Sequence, residues 1–252
     1  MPNVTGHTEL VGLIAYPIRH TQSPTTHNLA YDYLGVDAIQ LAFEVDNETL
    51  KDSVQAIRAL KMLGSNVSMP NKPVVIQYLD EIDGPVALCG ACNCVVNTRD
   101  ENGEVTGHLK GYNTDGKGYW QAVEEEGIDF KGMKMVMIGI GGAASAIAAT
   151  GAIEGIAEMH IFNLKDKFFP HGEELVAKIN EQTECKAFMH DLADKDLLKK
   201  LMHESDIFCD ATGVGMHPLE DLSSIPDTSF FKPDLIVTDT VYAPRETVMM
   251  KQ

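Results

Sequence analysis

The stretch that most constrains this chain is the junction at residues 135–154, where the apolar run MVMIGI breaks into glycine and continues as the small-residue segment GGAASAIAATGAIE. A near-continuous apolar run of this kind is a strand buried on both faces, which belongs in a parallel sheet covered by helices. Glycines at the turn let backbone N–H groups approach a pyrophosphate, and the helix that follows presents its positive end to it. Any tight strand-to-helix turn can use glycine for packing alone. The buried strand before it and the alanine-rich helix after it give the pattern the context of a dinucleotide-binding junction. The candidate contacts are Gly139, Ile140, Gly141, Gly142 and Ala143.

The residues downstream repeat the alternation. EMHIFNL, CKAFMHDL, DIFCDATG and DLIVTDTVY have the composition of strands, with helical HGEELVAKINEQT and DLLKKLMHES between them. Upstream, DGKGYWQAVEEEGI predicts a helix leading through FKGMK into the first of these strands. This is a doubly wound, Rossmann-type pattern running from Asp115 to the end. Its second strand closes at Asn163, Leu164, Lys165 and Asp166, the position from which an adenosine ribose is read. An acidic residue there hydrogen-bonds the 2′-hydroxyl, whereas arginine accommodates a 2′-phosphate. Asp166 and Leu164 therefore point to NAD over NADP, and Lys165 keeps NADP within reach. A helix cap is the plainer role for Asp166.

A length of 252 residues with 44% hydrophobic content suffices for two α/β domains. The expected first domain, residues 1–114, alternates strands at ELVGLIAYP and AIQLAFEV with helices at residues 25–34 and over ETLKDSVQAIRALKM. A short strand over SNVSMP and a helix over KPVVIQYLDEI come next. ALCGACNCVVNTR and EVTGHLKGYN then form a hairpin whose turn is signalled by Asn102-Gly103, so the sheet is mixed. The second domain is expected at residues 115–252, with a cleft between the two.

A formal charge of −17, from 37 acidic against 20 basic side chains with no basic block, repels polyanions and excludes nucleic acid and anionic membrane as partners. No run of apolar residues is long enough to span a bilayer, and MPNVTGHTELVG lacks the pattern of a signal peptide, which points to the cytoplasm. Five cysteines, an odd number, fit reduced thiols. Three of them crowd into CGACNC at Cys89, Cys92 and Cys94. A zinc clamp would need two further ligands that no second CxxC or HxxxH supplies, so they are expected as small hydrophobes in an apolar strand, with no metal bound.

The motifs AYPIRHTQSP, AFEVDN, VSMPNK, GACN, GYNTDGKG, GIGGAASA, GAIEGI, GVGMHPLE and VYAP run in order over nearly the whole chain. Together they resemble the shikimate dehydrogenases, specifically the quinate/shikimate dehydrogenase branch. The resemblance implies reversible oxidation of a ring hydroxyl of shikimate or quinate, with hydride passed to NAD(P). It places a lysine and aspartate pair on that hydroxyl, here Lys72 and Asp115. Alcohol oxidation must remove the hydroxyl proton as hydride leaves, which suits Lys72 as proton carrier and Asp115 as its orienting partner. By the same resemblance Thr21, Ser23, Ser68, Asn93, Thr114 and Tyr242 bind substrate, while Thr212, Gly213, Thr240 and Val241 surround the nicotinamide. Neutral donors suit a polyhydroxylated acid. A homodimer is compatible with the resemblance.

Several positions depart from the family. Thr21 replaces a serine, Cys94 a threonine and Asp210 an asparagine, and Gln40 stands where the quinate-using branch carries an aromatic hydroxyl; Thr21, Cys94 and Gln40 are expected to touch the substrate pocket, and by the resemblance Asp210 adds a charge near the nicotinamide. The chain reaches Gln252 where relatives continue into helices that return to the first domain, and without those helices apolar surface there is expected to be uncovered. A truncated or non-catalytic nucleotide-binding sensor is the alternative reading. A methylenetetrahydrofolate dehydrogenase-like enzyme is a further one, which would not be expected to carry HTQSP.

Overall fold

The computed structural model describes residues 4–252, which fall by their contacts into two compact units divided between Thr114 and Asp115. The elements of the first are β1 (Glu9–Ala15), α1 (Ser23–Leu34), β2 (Ala38–Glu44), α2 (Leu50–Ala59), β3 (Gly64–Val67), β4 (Glu81–Ile82), α3 (Gly84–Cys89), β5 (Cys94–Arg99) and β6 (Val105–Tyr112). They build one sheet in the order β2-β1-β3-β5-β6-β4. β1 runs parallel to β2 and β3, whereas β5 is antiparallel to both β3 and β6, so the sheet is mixed. The apolar face of α2, with Val54 and Ile57 buried, closes over Ile14, Val67, Val95 and Leu109.

Two expected elements differ. KPVVIQYLDEI forms a single 3₁₀ turn, Val75–Tyr78, followed by the short strand β4 alongside β6. The Asp80 carboxylate accepts from Leu109 N at 2.7 Å and from Arg58 Nη2 at 2.8 Å, and these tertiary bonds draw the chain to the sheet edge before a helix can extend. The cysteine segment is also not one strand. Asp83 caps α3 by accepting from Val86 N at 2.8 Å, with proline in the first turn, and Gly90 ends the helix in the left-handed region at φ 67°. The strand begins only at Cys94. Cys92 still serves as a core hydrophobe, its thiol pushed up to about 12 by burial. Among the described residues no group of three or more histidine, cysteine or acidic side chains is arranged to hold a metal ion.

The β5–β6 hairpin forms with a register shift between Asn97 and Arg99. Its loop is closed by Asp100 Oδ1, which accepts from Asn102 N and Glu104 N at 2.9 Å each, with Gly103 at φ 83°.

The second unit contains α4 (Thr114–Glu125, starting at the last residue of the first unit), β7 (Lys134–Ile138), α5 (Gly142–Glu154), β8 (Glu158–Asn163), α6 (Phe169–Gln182), β9 (Lys186–Asp191), α7 (Lys195–Glu204), β10 (Ile207–Asp210), β11 (Ile236–Asp239) and α8 (Val248–Lys251). Every strand pair is parallel, in the order β11-β10-β7-β8-β9. The strand order therefore reverses between β7 and β10. In open α/β sheets a ligand binds outside the carboxyl ends of the strands at such a switch point. Residues 144–152 of α5 are all buried, which explains the small-residue composition of that helix. Among the described residues no helix is long and apolar enough to cross a membrane.

Candidate active site

In the first unit the predicted substrate residues collect at one end of the sheet. Val67 N donates to the Asn93 carbonyl at 2.8 Å and Asn93 N donates to the Tyr112 carbonyl at 3.1 Å, so Ser68 after β3, Asn93 before β5 and Thr114 after β6 leave adjacent strands on the same side. Asn93 and Thr114 are joined directly. Thr114 N donates to Asn93 Oδ1 at 2.9 Å and Asn93 Nδ2 reaches Thr114 Oγ1 at 3.0 Å. Thr21 and Ser23 follow β1 at the start of α1, where their hydroxyls lie 3.3 Å apart and Ser23 N donates to Thr21 Oγ1 at 3.2 Å.

Lys72 is half-buried and its carbonyl accepts from Cys92 N at 2.9 Å, one residue before Asn93. The turn that presents it is held by Asn71, a fully buried residue whose Nδ2 donates to the Val45 carbonyl at 2.7 Å and whose backbone N donates to the Ser68 carbonyl at 2.9 Å. Sequence reasoning passed over Asn71. Its only signal was a polar residue wedged between Pro70 and Lys72 in SMPNK. Asp115 directly follows Thr114, in the first turn of α4.

Gln40 does not line a pocket. It is fully buried, with Oε1 2.7 Å from His27 Nδ1 and Nε2 donating to Asn66 Oδ1 at 2.7 Å. Its main chain exchanges two further bonds with Asn28. A carboxamide consumed in this way clamps α1 onto β2 and β3, the elements next to Thr21, Ser23 and Ser68.

In the second unit Gly139 N donates to the Phe162 carbonyl at 2.8 Å, and Gly139 sits at φ 108° with a Cβ position only 2.8 Å from the Ala211 carbonyl oxygen. Any side chain there would collide with backbone. Gly141 is the N-cap residue of α5, and a Cβ on Gly141 or Gly142 would meet nothing within 4 Å. With Ala143 they are exposed, leaving an open cradle at the start of a 13-residue helix, as a pyrophosphate requires. Ile140 is 2% exposed and packs inward, so only its backbone can serve a ligand.

At the end of β8, Asn163 Nδ2 donates to the Leu164 carbonyl at 2.8 Å and to Asp166 Oδ1 at 3.2 Å, while Phe168 N donates to the same Asp166 oxygen at 2.9 Å. Asp166 is thus fixed in the turn before α6, and among the described residues its Oδ2 takes no hydrogen bond. Lys165 pairs with Asp191 at 3.7 Å, drawn toward β9.

The loops after β10 and β11 share a carboxylate node. Asp210 Oδ1 accepts from Thr212 N at 2.9 Å and Thr212 Oγ1 at 2.7 Å, and the Asp210 carbonyl accepts from Thr240 N at 3.0 Å. Asp239, opposite Asp210 in register, accepts from Val241 N at 2.8 Å and Thr247 Oγ1 at 2.7 Å. Burial, reinforced by the Asp210 charge, raises the Asp239 carboxyl above the usual carboxylate range. Thr212, Gly213, Thr240 and Val241 therefore stand together at the carboxyl ends of two neighbouring strands beside the glycine turn. Asp239 was missed from the sequence, where an acid closing a strand in VTDTVY was its only mark. Tyr242, 87% exposed, lies in the second unit just after β11.

Residues 13–95 match the family model described as the shikimate dehydrogenase substrate binding domain. The chain is 52% identical, over 98% of its own length and 82% of the relative's, to a protein of Streptococcus uberis named shikimate dehydrogenase (NADP(+)). A crystal structure of shikimate 5-dehydrogenase from Listeria monocytogenes in complex with shikimate and NAD is similar with a TM-score of 0.94 and 47% identity, covering 100% of this chain and 84% of that one. Quinate dehydrogenase from Corynebacterium glutamicum in complex with NAD is similar with a TM-score of 0.82 and 26% identity, over 97% of this chain and 84% of that one.

Proposed function

This chain belongs to the shikimate dehydrogenase family, and from that premise we propose that it catalyses the reversible oxidation of the 3-hydroxyl of shikimate or quinate to the 3-dehydro ketone. When bound, the NAD(P) nicotinamide supplies the hydride acceptor. The observation that carries the reading is the polar set at one end of the first sheet. There the Lys72 turn, Ser68 and the bonded pair Asn93–Thr114 are held side by side by backbone hydrogen bonds, with Asp115 the next residue along. The sensor reading finds no comparable support, since the relatives named above are dehydrogenases.

Each residue then has a task. The hydroxyls of Thr21 and Ser23, already paired, offer donors to the substrate carboxylate, and Ser68, Asn93, Thr114 and Tyr242 satisfy the ring hydroxyls. Lys72 takes the proton from the reacting hydroxyl and returns it in the reverse direction, and Asp115 orients both the amine and the substrate. We infer a cytoplasmic setting from five cysteines that are all unpaired.

For the cofactor, the family resemblance and the glycine cradle support NAD(P), and we place NAD ahead of NADP in this chain. The relative from Streptococcus uberis is named for NADP(+), whereas the Listeria monocytogenes structure contains NAD. Asp166 is the group that favours NAD here, because its unengaged oxygen suits a ribose hydroxyl and repels a 2′-phosphate. Asp166→Ala is expected to lower kcat/KM for NAD by about tenfold or more, the worth of a hydrogen bond to a charged group, with NADP little affected or improved. Equal losses on both dinucleotides would remove Asp166 from the selection.

The test of the main reading is a panel crossing shikimate and quinate with NAD and NADP, followed by the near-ultraviolet absorbance of the reduced nicotinamide. Turnover is expected with shikimate on at least one dinucleotide. Silence from both substrates with both dinucleotides would overturn the dehydrogenase reading in favour of a ligand sensor.

A further inference from the structure

We propose that Asp210 is a positioning residue for the nicotinamide end of the dinucleotide, and that its carboxylate makes the protein hold the oxidised, cationic ring more tightly than the reduced, neutral one. The inference rests on the dinucleotide reading given above and adds to it a residue that sets the balance between the two redox states of the cofactor.

Asp210 closes β10 and is 1% exposed. Thr212 N and Thr212 Oγ1 donate to one of its oxygens, and Ser224 Oγ donates to the other. Val214 N donates to Thr212 Oγ1 at 3.1 Å, which commits the threonine hydroxyl hydrogen to Asp210. Both carboxylate oxygens therefore act as acceptors, and the Thr212–Gly213 turn is built around them. The adjoining Ala211 carbonyl packs against Gly139, so this turn is one wall of the glycine cradle.

The topology says what passes over that wall. With the pyrophosphate at Gly139–Ala143 and the adenosine ribose at the end of β8, the other half of the ligand must cross the β7–β10 switch point and run over the ends of β10 and β11. Asp210 and Asp239 face each other in register at those two ends, and among the described residues neither has a lysine or arginine partner. The oxidised nicotinamide carries a positive charge that hydride transfer removes. A buried carboxylate next to that ring, poorly screened by water, attracts only the first of the two forms.

Equilibrium titration of the full chain with NAD⁺, NADH and ADP-ribose, which lacks the ring, tests this. Asp210→Asn keeps an oxygen for Thr212 and removes the charge. It is expected to lower affinity for NAD⁺ relative to NADH by about three- to tenfold, as one charge at an intermediate dielectric would do, with ADP-ribose unchanged. Asp210→Ala also loses the anchor of the turn and should weaken both dinucleotides further, with the same fall in affinity for NAD⁺ relative to NADH. An unchanged NAD⁺/NADH ratio in Asp210→Asn, or an equal loss for ADP-ribose, overturns the proposal. If Asp210→Asn does not fold, Asp210→Ser, which also removes the charge, carries the same test, and an unchanged ratio there has the same force. Failure of the unsubstituted protein to bind NAD⁺ would instead bring down the dinucleotide reading and this inference with it.

Discussion

Replacing Lys72 by methionine should reduce turnover by about 10²- to 10⁴-fold, the usual contribution of a placed acid/base group, while leaving dinucleotide affinity essentially unchanged. Methionine keeps most of the length and apolar stem of lysine and discards the amine, so the half-buried stem should still pack. The backbone around it has independent supports. Asn71 donates to the Val45 carbonyl and Cys92 N donates to the Lys72 carbonyl, and neither bond involves the lysine side chain. The measurement is steady-state shikimate oxidation alongside NAD⁺ titration. Asp115→Asn should lose rate in the same sense, because the amide keeps the shape of the carboxylate and loses its charge. A Lys72→Met protein that turns over within a few-fold of the unsubstituted one would move the proton carrier to another residue.

The largest effect on stability is expected from Trp120→Ala. Truncating a fully buried tryptophan costs about 3–5 kcal/mol, a large share of the roughly 5–15 kcal/mol available to a typical domain. Trp120 is 0% exposed, its Nε1 donates to the Ile147 carbonyl at 2.9 Å, and its ring lies 4.2 Å from that of Phe130. A Cβ on Gly151 would sit 2.5 Å from Trp120 Cζ2, and one on Gly116 would sit 2.2 Å from the Ala146 carbonyl oxygen. The tryptophan thus fills a groove that only glycine leaves open and seats α4 against α5. Those two helices carry Asp115 and the exposed residues Gly142 and Ala143 in their first turns. Urea unfolding should show a clearly lowered midpoint, with Trp120→Phe losing much less. A midpoint unmoved by the alanine change would mean that the groove can collapse around the missing ring.

The second unit was legible in the letters because its signals are local. MVMIGI, EMHIFNL and DIFCDATG are apolar over the length of a strand, and a strand buried on both faces has no other way to be written. The glycine junction was equally plain, and the collision awaiting a side chain at Gly139 explains why glycine stands there. KPVVIQYLDEI misled for the opposite reason. Its apolar spacing favours a helix, and the bonds that override it come from Leu109 and Arg58, far away in the chain. In the cysteine segment the apolar letters concealed an Asp83 cap and a Gly90 stop, both of which were local and were overlooked.

Gln40 and the Asp210–Asp239 node fall on the other side of that division. Nothing near Gln40 in sequence says that its carboxamide is consumed by His27 and Asn66, and a pocket position was the natural expectation. For Asp210 the family resemblance implied an added charge near the nicotinamide and nothing of the groups that hold the carboxylate. Its pairing in register with Asp239 depends on two strands separated by the whole segment from Ala211 to Leu235.

By itself the sequence determined the two α/β units, the glycine-rich strand-to-helix turn and the family, since strand and helix periodicity, glycine at a strand end and ordered short motifs are properties of neighbouring residues. The tertiary structure alone decided which polar groups are spent inside the protein and which remain for a ligand. A buried donor or acceptor must find a partner wherever the fold supplies one, and for Asn71 and the Gln40 carboxamide that partner is distant in the chain.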